Sequence, residues 1–274
     1  MLCSPVRISS AGRLPWTLGF VMHPIAQRTL EVLESAFRRL ERQLPPPRYI
    51  EIDGQPALRY AEQLIEQALI QKLARYISSL EAAQLLLDRG FLQEQGVLHR
   101  TLDELHEDIL FLTVAITNDQ VTELHRRYLA AFWAEEFGGA DPVESRNDRE
   151  MVPRNKMRAY VARVLQATSN PSRDLAVSKT IAKVYSGFVH AASPHLMEMC
   201  DGDPPRFNLR GMRSAARFAD HEFDIWNYYY RGILSATFVG KALGDQPLVT
   251  GLFEHSLQFQ EGCGRDFGAR RPEA

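Results

Sequence analysis

Between residues 56 and 116, apolar side chains return every three or four positions. Ala61, Ile65, Leu69, Leu73, Tyr76, Leu80, Ala83 and Leu87 form one stripe, and Leu98, Leu102, Leu105, Ile109, Leu112 and Ile116 form the next. This spacing matches a turn of 3.6 residues and excludes strand alternation. Gly90 stands between the stripes, where a helix end favours a left-handed residue. Two long helices, about 56–89 and 91–116, are expected, each with a packed face. The last turns of the second, ILFLTVAI, are apolar on every side, which marks a central helix.

Other segments read the same way. Residues 24–44 carry Ile25, Leu30, Leu33, Phe37, Leu40 and Leu44 at helical spacing. Pro45, Pro46 and Pro47 then end the helix, because proline lacks the donor and clashes with the preceding turn. RYIEIDGQP offers a short strand turning at Asp53-Gly54, but the reading adopted is a loop. Asn118 or Asp119 is the expected cap of a helix reaching about Phe137. Pro153 suits the first turn of a helix to about Thr168. Further helices are expected over 173–192, over 211–242 and over 247–260, with a turn opened by Pro194 and a loop over 201–210.

The expected fold is therefore all-α: a single domain of about eight helices, two of them long and central, with no significant sheet. Its limits are set at residues 22–262. Residues 1–21 are expected to be a disordered extension ahead of Met22, and residues 263–274 a frayed tail. The turn-rich segment 138–152 is the only candidate internal boundary. Hydrophobic residues make up 45% of 274 and charged residues 24%, at a net charge of -2. That balance gives no global field that draws the chain to nucleic acid, which leaves a local patch as the only electrostatic route. Cys3, Cys200 and Cys263 have neither disulfide nor zinc spacing, and no apolar run reaches membrane-spanning length. A cytoplasmic protein without membrane association is the expectation.

Polar residues interrupt both central helices. On 91–116, Arg100, Glu104 and Asp108 recur every four residues, along a strip continued by Val97, Phe111 and Ala115. On 211–242, Asp220, Asp224, Asn227 and Arg231 are spaced four, three and four among Phe223, Ile225, Trp226, Tyr228, Tyr229 and Tyr230. Charges in such company must be paired or protonated. The expectation is that the stripes meet, Arg100 with Asp220 or Asp224 and Arg231 with Glu104 or Asp108. His190 and Tyr185, from KVYSGFVHAASPH, are the candidates to complete the cluster. Gly187 costs ~1 kcal/mol relative to alanine within a helix, so it is expected to admit another backbone. The bland counterpart is a satisfied salt-bridge network with His190 in the core; the functional one is a pocket with shifted pKa values.

Several chemistries fail on residue count. Phosphohydrolases of the HD type need His-Asp, and Asp220-His221 is reversed. Di-iron bundles need two Glu-x-x-His motifs, where this chain has only Asp103-x-x-His106. No phosphate-binding glycine loop or nucleophile elbow occurs. Magnesium on Glu104, Asp108, Asp220 and Asp224 would suit a phosphohydrolase, since hard cations take carboxylates. Arg146, Arg149, Arg154, Lys156, Arg158 and Arg163 form a basic cluster able to hold RNA backbone or an acidic partner, diluted by Asp148 and Glu150.

ALIQKLARYISSLEAAQLLLDRGFLQEQGVLHRTLDELHEDILFL together with KVYSGFVHAASPH resembles a family of uncharacterised bacterial helical proteins, over about residues 57–240. That resemblance implies an all-α bacterial protein and no established activity. The Tyr-Ser-x-x-x-His run also resembles, more remotely, HEPN-type helical nucleases, whose arginine and histidine from two protomers form a metal-free RNase site. It implies a homodimer acting on RNA in stress or phage defence, without cofactor or metal. His190 would be the acid/base, and Arg100 or Arg231, with Glu104 nearby, would steady the phosphate. Lys183 stands where that pattern has arginine, and lysine lacks the bidentate fork. Arg100 to His106 fits the spacing too, but Asp103, Glu107 and Asp108 would repel a phosphate. The competing expectation is a non-enzymatic scaffold that binds a protein partner.

Overall fold

The computed structural model describes residues 22–135, 149–165, 180, 183–212 and 216–268. Among these residues are nine helices and two short antiparallel strand pairs, so the fold is all-α as the periodicity requires. The helices are α1 (Pro24–Glu41), α2 (Ile65–Arg89), α3 (Leu92–Thr117), α4 (Glu123–Trp133), α5 (Arg154–Leu165), α6 (183–189), α7 (Ser193–Met197), α8 (Ala216–Ala242) and α9 (Gln246–Cys263). None of the described helices is long and apolar enough to cross a membrane. The expectations for residues 1–21 and for most of the 138–152 segment lie outside the described residues.

Helices α2, α3 and α8 pack against one another and form the centre. Leu69, Leu73, Tyr76 and Leu80 of α2 meet Leu102, Ile109, Phe111 and Leu112 of α3 and Tyr229, Ile233, Ala236 and Val239 of α8, all of them buried. Each large side chain so removed from water contributes roughly 1.5–3 kcal/mol. The Tyr76 hydroxyl crosses between helices and donates to the Tyr228 carbonyl at 2.8 Å. Helices α1 and α9 flank α8, α4 leans on α2, and α5 lies along α3.

Gly90 ends α2 in the left-handed region at φ 74°. It does more than stop a helix. A Cβ there would lie 2.5 Å from the Met212 backbone nitrogen, and the Met212 N–H donates to the Gly90 carbonyl at 2.8 Å. The α2–α3 corner thus docks the chain that enters α8.

RYIEIDGQP departs from the expected loop. Strands β1 (Arg48–Ile52) and β2 (Gln55–Arg59) pair antiparallel, with Ile52 opposite Gln55. Asp53 and Gly54 both have positive φ, 49° and 74°, the two-residue turn that Asp-Gly favours in hairpins. Arg59 anchors the hairpin to Glu135, just past α4, at 2.7 and 2.9 Å. The second pair, β3 (Cys200–Asp201) with β4 (Arg206–Phe207), lies in the expected 201–210 loop. Helix α2 starts at Ile65 rather than near 56, because β2 takes residues 55–59 and residues 60–64 connect it to the helix. Helix α4 starts at Glu123 behind Thr122, not behind Asn118 or Asp119.

Helix α6 settles the glycine in KVYSGFVHAASPH. Pro194 opens α7 as expected. The ring of His195 in α7 folds back onto Gly187, where any Cβ would collide with it. The close approach is therefore by a side chain and not by a backbone. Phe188 lies in the same way over Gly96 of α3, 2.6 Å from where a Cβ would stand. After α9, Phe267 stacks on Tyr230 with ring centroids 4.7 Å apart, and its N–H donates to Gln260 Oε1 at 2.8 Å. Phe267 is thus packed on the bundle.

Candidate functional site

The two polar stripes do not meet. Arg100, Glu104 and Asp108 face α5, which carries Arg154, Lys156, Arg158 and Arg163 of the expected basic cluster. Glu104 receives Arg100 at 2.5 Å and Arg154 at 3.1 Å. Asp108 receives Arg154 at 3.0 Å and Lys72 of α2 at 2.8 Å. Arg158 donates to Glu107 at 2.8 Å. Arg154 and Arg158 therefore turn inward, while Lys156 and Arg163 stay exposed; Arg146 lies outside the described residues. The expected pairings of Arg100 with α8 and of Arg231 with Glu104 or Asp108 are corrected accordingly.

The reason is rotation. Adjacent residues of a helix lie about 100° apart, so Asp103, one position before Glu104, faces α8 instead. Asp103 is buried and pairs with Arg231. It belongs to a stripe the sequence reading passed over: Gln95, His99, Asp103 and His106. Helix α8 answers with His221, Tyr228, Arg231 and Ser235. His221 Nδ1 lies 2.8 Å from Gln95 Oε1, the His99 ring stacks on Tyr228 at 4.2 Å, and His106 Nδ1 lies 2.9 Å from Ser235 Oγ. The pairs ascend together in number, so α3 and α8 run in the same direction. A spacing of four, four and three among apolar neighbours was the signal available for this seam.

This seam is held almost neutral. Burial pushes His106 down to about 3 and His221 down to about 4. His99 is pushed well below its usual range, mainly by burial and then by His221 and Arg231. Burial raises the Asp103 carboxyl to about 6 against the pull of Arg231. At neutral pH the seam thus holds one ion pair between neutral imidazoles. Neither His99 ring nitrogen has a hydrogen-bond partner among the described residues.

One side of the seam opens into a cavity of about 380 Å³ lined by Thr180, Val184, Tyr185, Asp224, Asn227, Tyr228 and Arg231. Four of these, Tyr185, Asp224, Asn227 and Arg231, are residues that the sequence had singled out. Tyr185 donates to Asp224 Oδ2 at 2.7 Å. Tyr228 points deeper, 3.4 Å from Asp103 Oδ2. His99 lies behind both tyrosines, stacked on one and edge-on to the other at 5.4 Å. Burial raises the Asp224 carboxyl, the Tyr185 hydroxyl opposes that shift, and Asp220 adds to it. Burial also lifts both tyrosine hydroxyls above their ordinary value, so they stay protonated.

The remaining sequence candidates lie elsewhere. His190 follows the last turn of α6 and is exposed. Its ring meets no described residue, because Tyr185 and Phe188 take the inward face and five further residues rotate His190 about 140° from Tyr185. It is therefore neither core nor part of the cavity. Asp220 is exposed and bonded to Arg217 at 3.1 Å. Glu104, Asp108, Asp220 and Asp224 do not converge, and no group of three or more His, Cys, Asp or Glu able to hold a metal occurs among the described residues.

Comparison with family models, with curated proteins and with solved structures finds no match for this chain. Its site is therefore read from its own geometry.

Proposed function

We propose that this protein binds a small polar molecule in the cavity between α6 and α8. The observation that supports it is the contrast between the stripes: that of α3 is covered by α5, and that of α8 faces a cavity. Its volume of about 380 Å³ lies in the range of small-ligand sites, about 300–1,000 Å³. The wall mixes aromatic surface with a carboxyl, an amide and a guanidinium, and a few polar groups on an apolar wall are what orient a ligand. The Asn227 amide has no hydrogen-bond partner among the described residues. A metabolite library screened by thermal shift tests this reading. Hits that raise Tm for wild type and lose the effect in Asn227→Leu are expected. A library that shifts both proteins alike, or neither, would count against it.

A second reading, an RNA-cleaving effector with His190 as acid/base, draws support from the exposure of that side chain. It needs cations from a second copy, since Arg100 is tied to Glu104 and Arg231 lines a cavity that His190 does not. Growth on induction of wild type and His190→Ala decides it. Toxicity lost in a variant that stays folded favours the nuclease, and equal harmlessness with no RNA cleavage in vitro removes it.

A further inference from the structure

Accepting that the cavity binds a small molecule, its charges specify which kind. Asp224 and Arg231 stand seven residues apart on α8, about 10 Å along the axis at 1.5 Å per residue, and both line the cavity. Asp224 uses Oδ2 to accept from Tyr185. Its other oxygen has no described partner. Arg231 uses Nη1 for Asp103, and its side chain is 31% exposed, so guanidinium N–H groups remain on the open side. Asn227 lies between them and can both donate and accept. Val184 and the rings of Tyr185 and Tyr228 supply the apolar wall between the charged ends.

A ligand with only negative charge would face the Asp224 carboxylate, and one with only positive charge would face Arg231. Like charges at close range oppose binding as strongly as opposite charges favour it. We propose that the cavity recognises a small zwitterion, an amino-carboxylate whose ammonium group meets Asp224 and whose anionic group meets Arg231. The methylene chain lies along the two tyrosines. Charges several bonds apart fit the spacing better than those of an α-amino acid.

Three compounds of one length test this on the full chain at neutral pH by titration calorimetry: 6-aminohexanoate, hexanoate and hexylammonium. The zwitterion is expected to bind at least tenfold more tightly than either singly charged compound. Asp224→Asn, which keeps an oxygen for the Tyr185 hydroxyl, should reduce 6-aminohexanoate to the level of hexanoate while leaving Tm nearly unchanged. Asn227→Leu should abolish binding of all three. Equal affinity for the three compounds, undiminished 6-aminohexanoate binding to Asp224→Asn, or no binding of the zwitterion overturns the inference. The metabolite screen separates the two levels. Other hits lost in Asn227→Leu would keep the cavity as a binding site and remove only the zwitterion, and an empty screen would remove both.

Discussion

Helix α3 carries two polar seams of different make. Toward α5 it presents Glu104, Glu107 and Asp108 to Arg154 and Arg158, with Lys72 reaching Asp108 from α2. Toward α8 it presents Gln95, His99, Asp103 and His106, of which only Asp103 is charged at neutral pH. The first seam is dense in charge and covered. The second is sparse in charge and borders a cavity. Ion pairs that are partly buried stabilise only when each charge finds its partner, so the α5 seam fixes how two helices lie. Neutral imidazoles and hydroxyls need weaker compensation, and the α8 seam can leave groups free for a ligand.

Acid should separate the seams most widely. His99, His106 and His221 have folded values pushed below their unfolded value near 6.5, as does His125, stacked on Phe111 across α3. For a base so depressed, stability is complete above pH 6.5 and is lost as the pH falls toward the folded value. Asp103 acts in the opposite sense: its raised value makes the folded state gain between about pH 6 and the ordinary carboxylate range. The histidines outweigh it, with a net loss on the order of 5 kcal/mol between pH 7.5 and pH 5. Urea midpoints at the two pH values measure it. Unchanged midpoints would mean that the imidazoles are not held neutral.

Gly187→Ala strikes only the α8 side. Its methyl collides with the His195 ring, and overpacking of about 2 kcal/mol, offset by about 1 kcal/mol of helix propensity, leaves a net loss of about 1 kcal/mol. The shift of α6 should also weaken ligand binding, and a Tm equal to wild type would refute the contact. Tyr185→Phe removes the bond to Asp224 and should cost about 1 kcal/mol, read from the same urea curves. A cost near zero would mean that Asp224 is already satisfied by water and that the cavity wall is wetter than the geometry implies.

The pattern of helices was legible because periodicity is local: α2 and α3, the Gly90 stop and the apolar end of α3 all follow from spacing. The stripe on α8 was legible too, because Asp224, Asn227 and Arg231 stand out among aromatics. Their partners were not. Choosing Glu104 over Asp103 is a single step of rotation, and sequence spacing fixes a face only to within such a step. Arg154 read as surface charge because nothing near it in sequence reveals that α5 returns to lie on α3. His190 stands out from its local run, and its exposure was not legible there, because the helix ends one residue before it. The hairpin was open to the same Asp-Gly signal that the structure uses.

A side-by-side urea titration of Arg154→Met and Asn227→Leu, each with and without a hit from the metabolite screen, tests the division between the seams. Arg154→Met should lose about 2 kcal/mol, since Glu104 keeps Arg100 and Asp108 keeps Lys72 while both lose their link to α5, and should keep its ligand response. Asn227→Leu should stay within ~0.5 kcal/mol of wild type and lose that response. The reverse pattern, a stable Arg154→Met beside an unstable Asn227→Leu, would contradict the account.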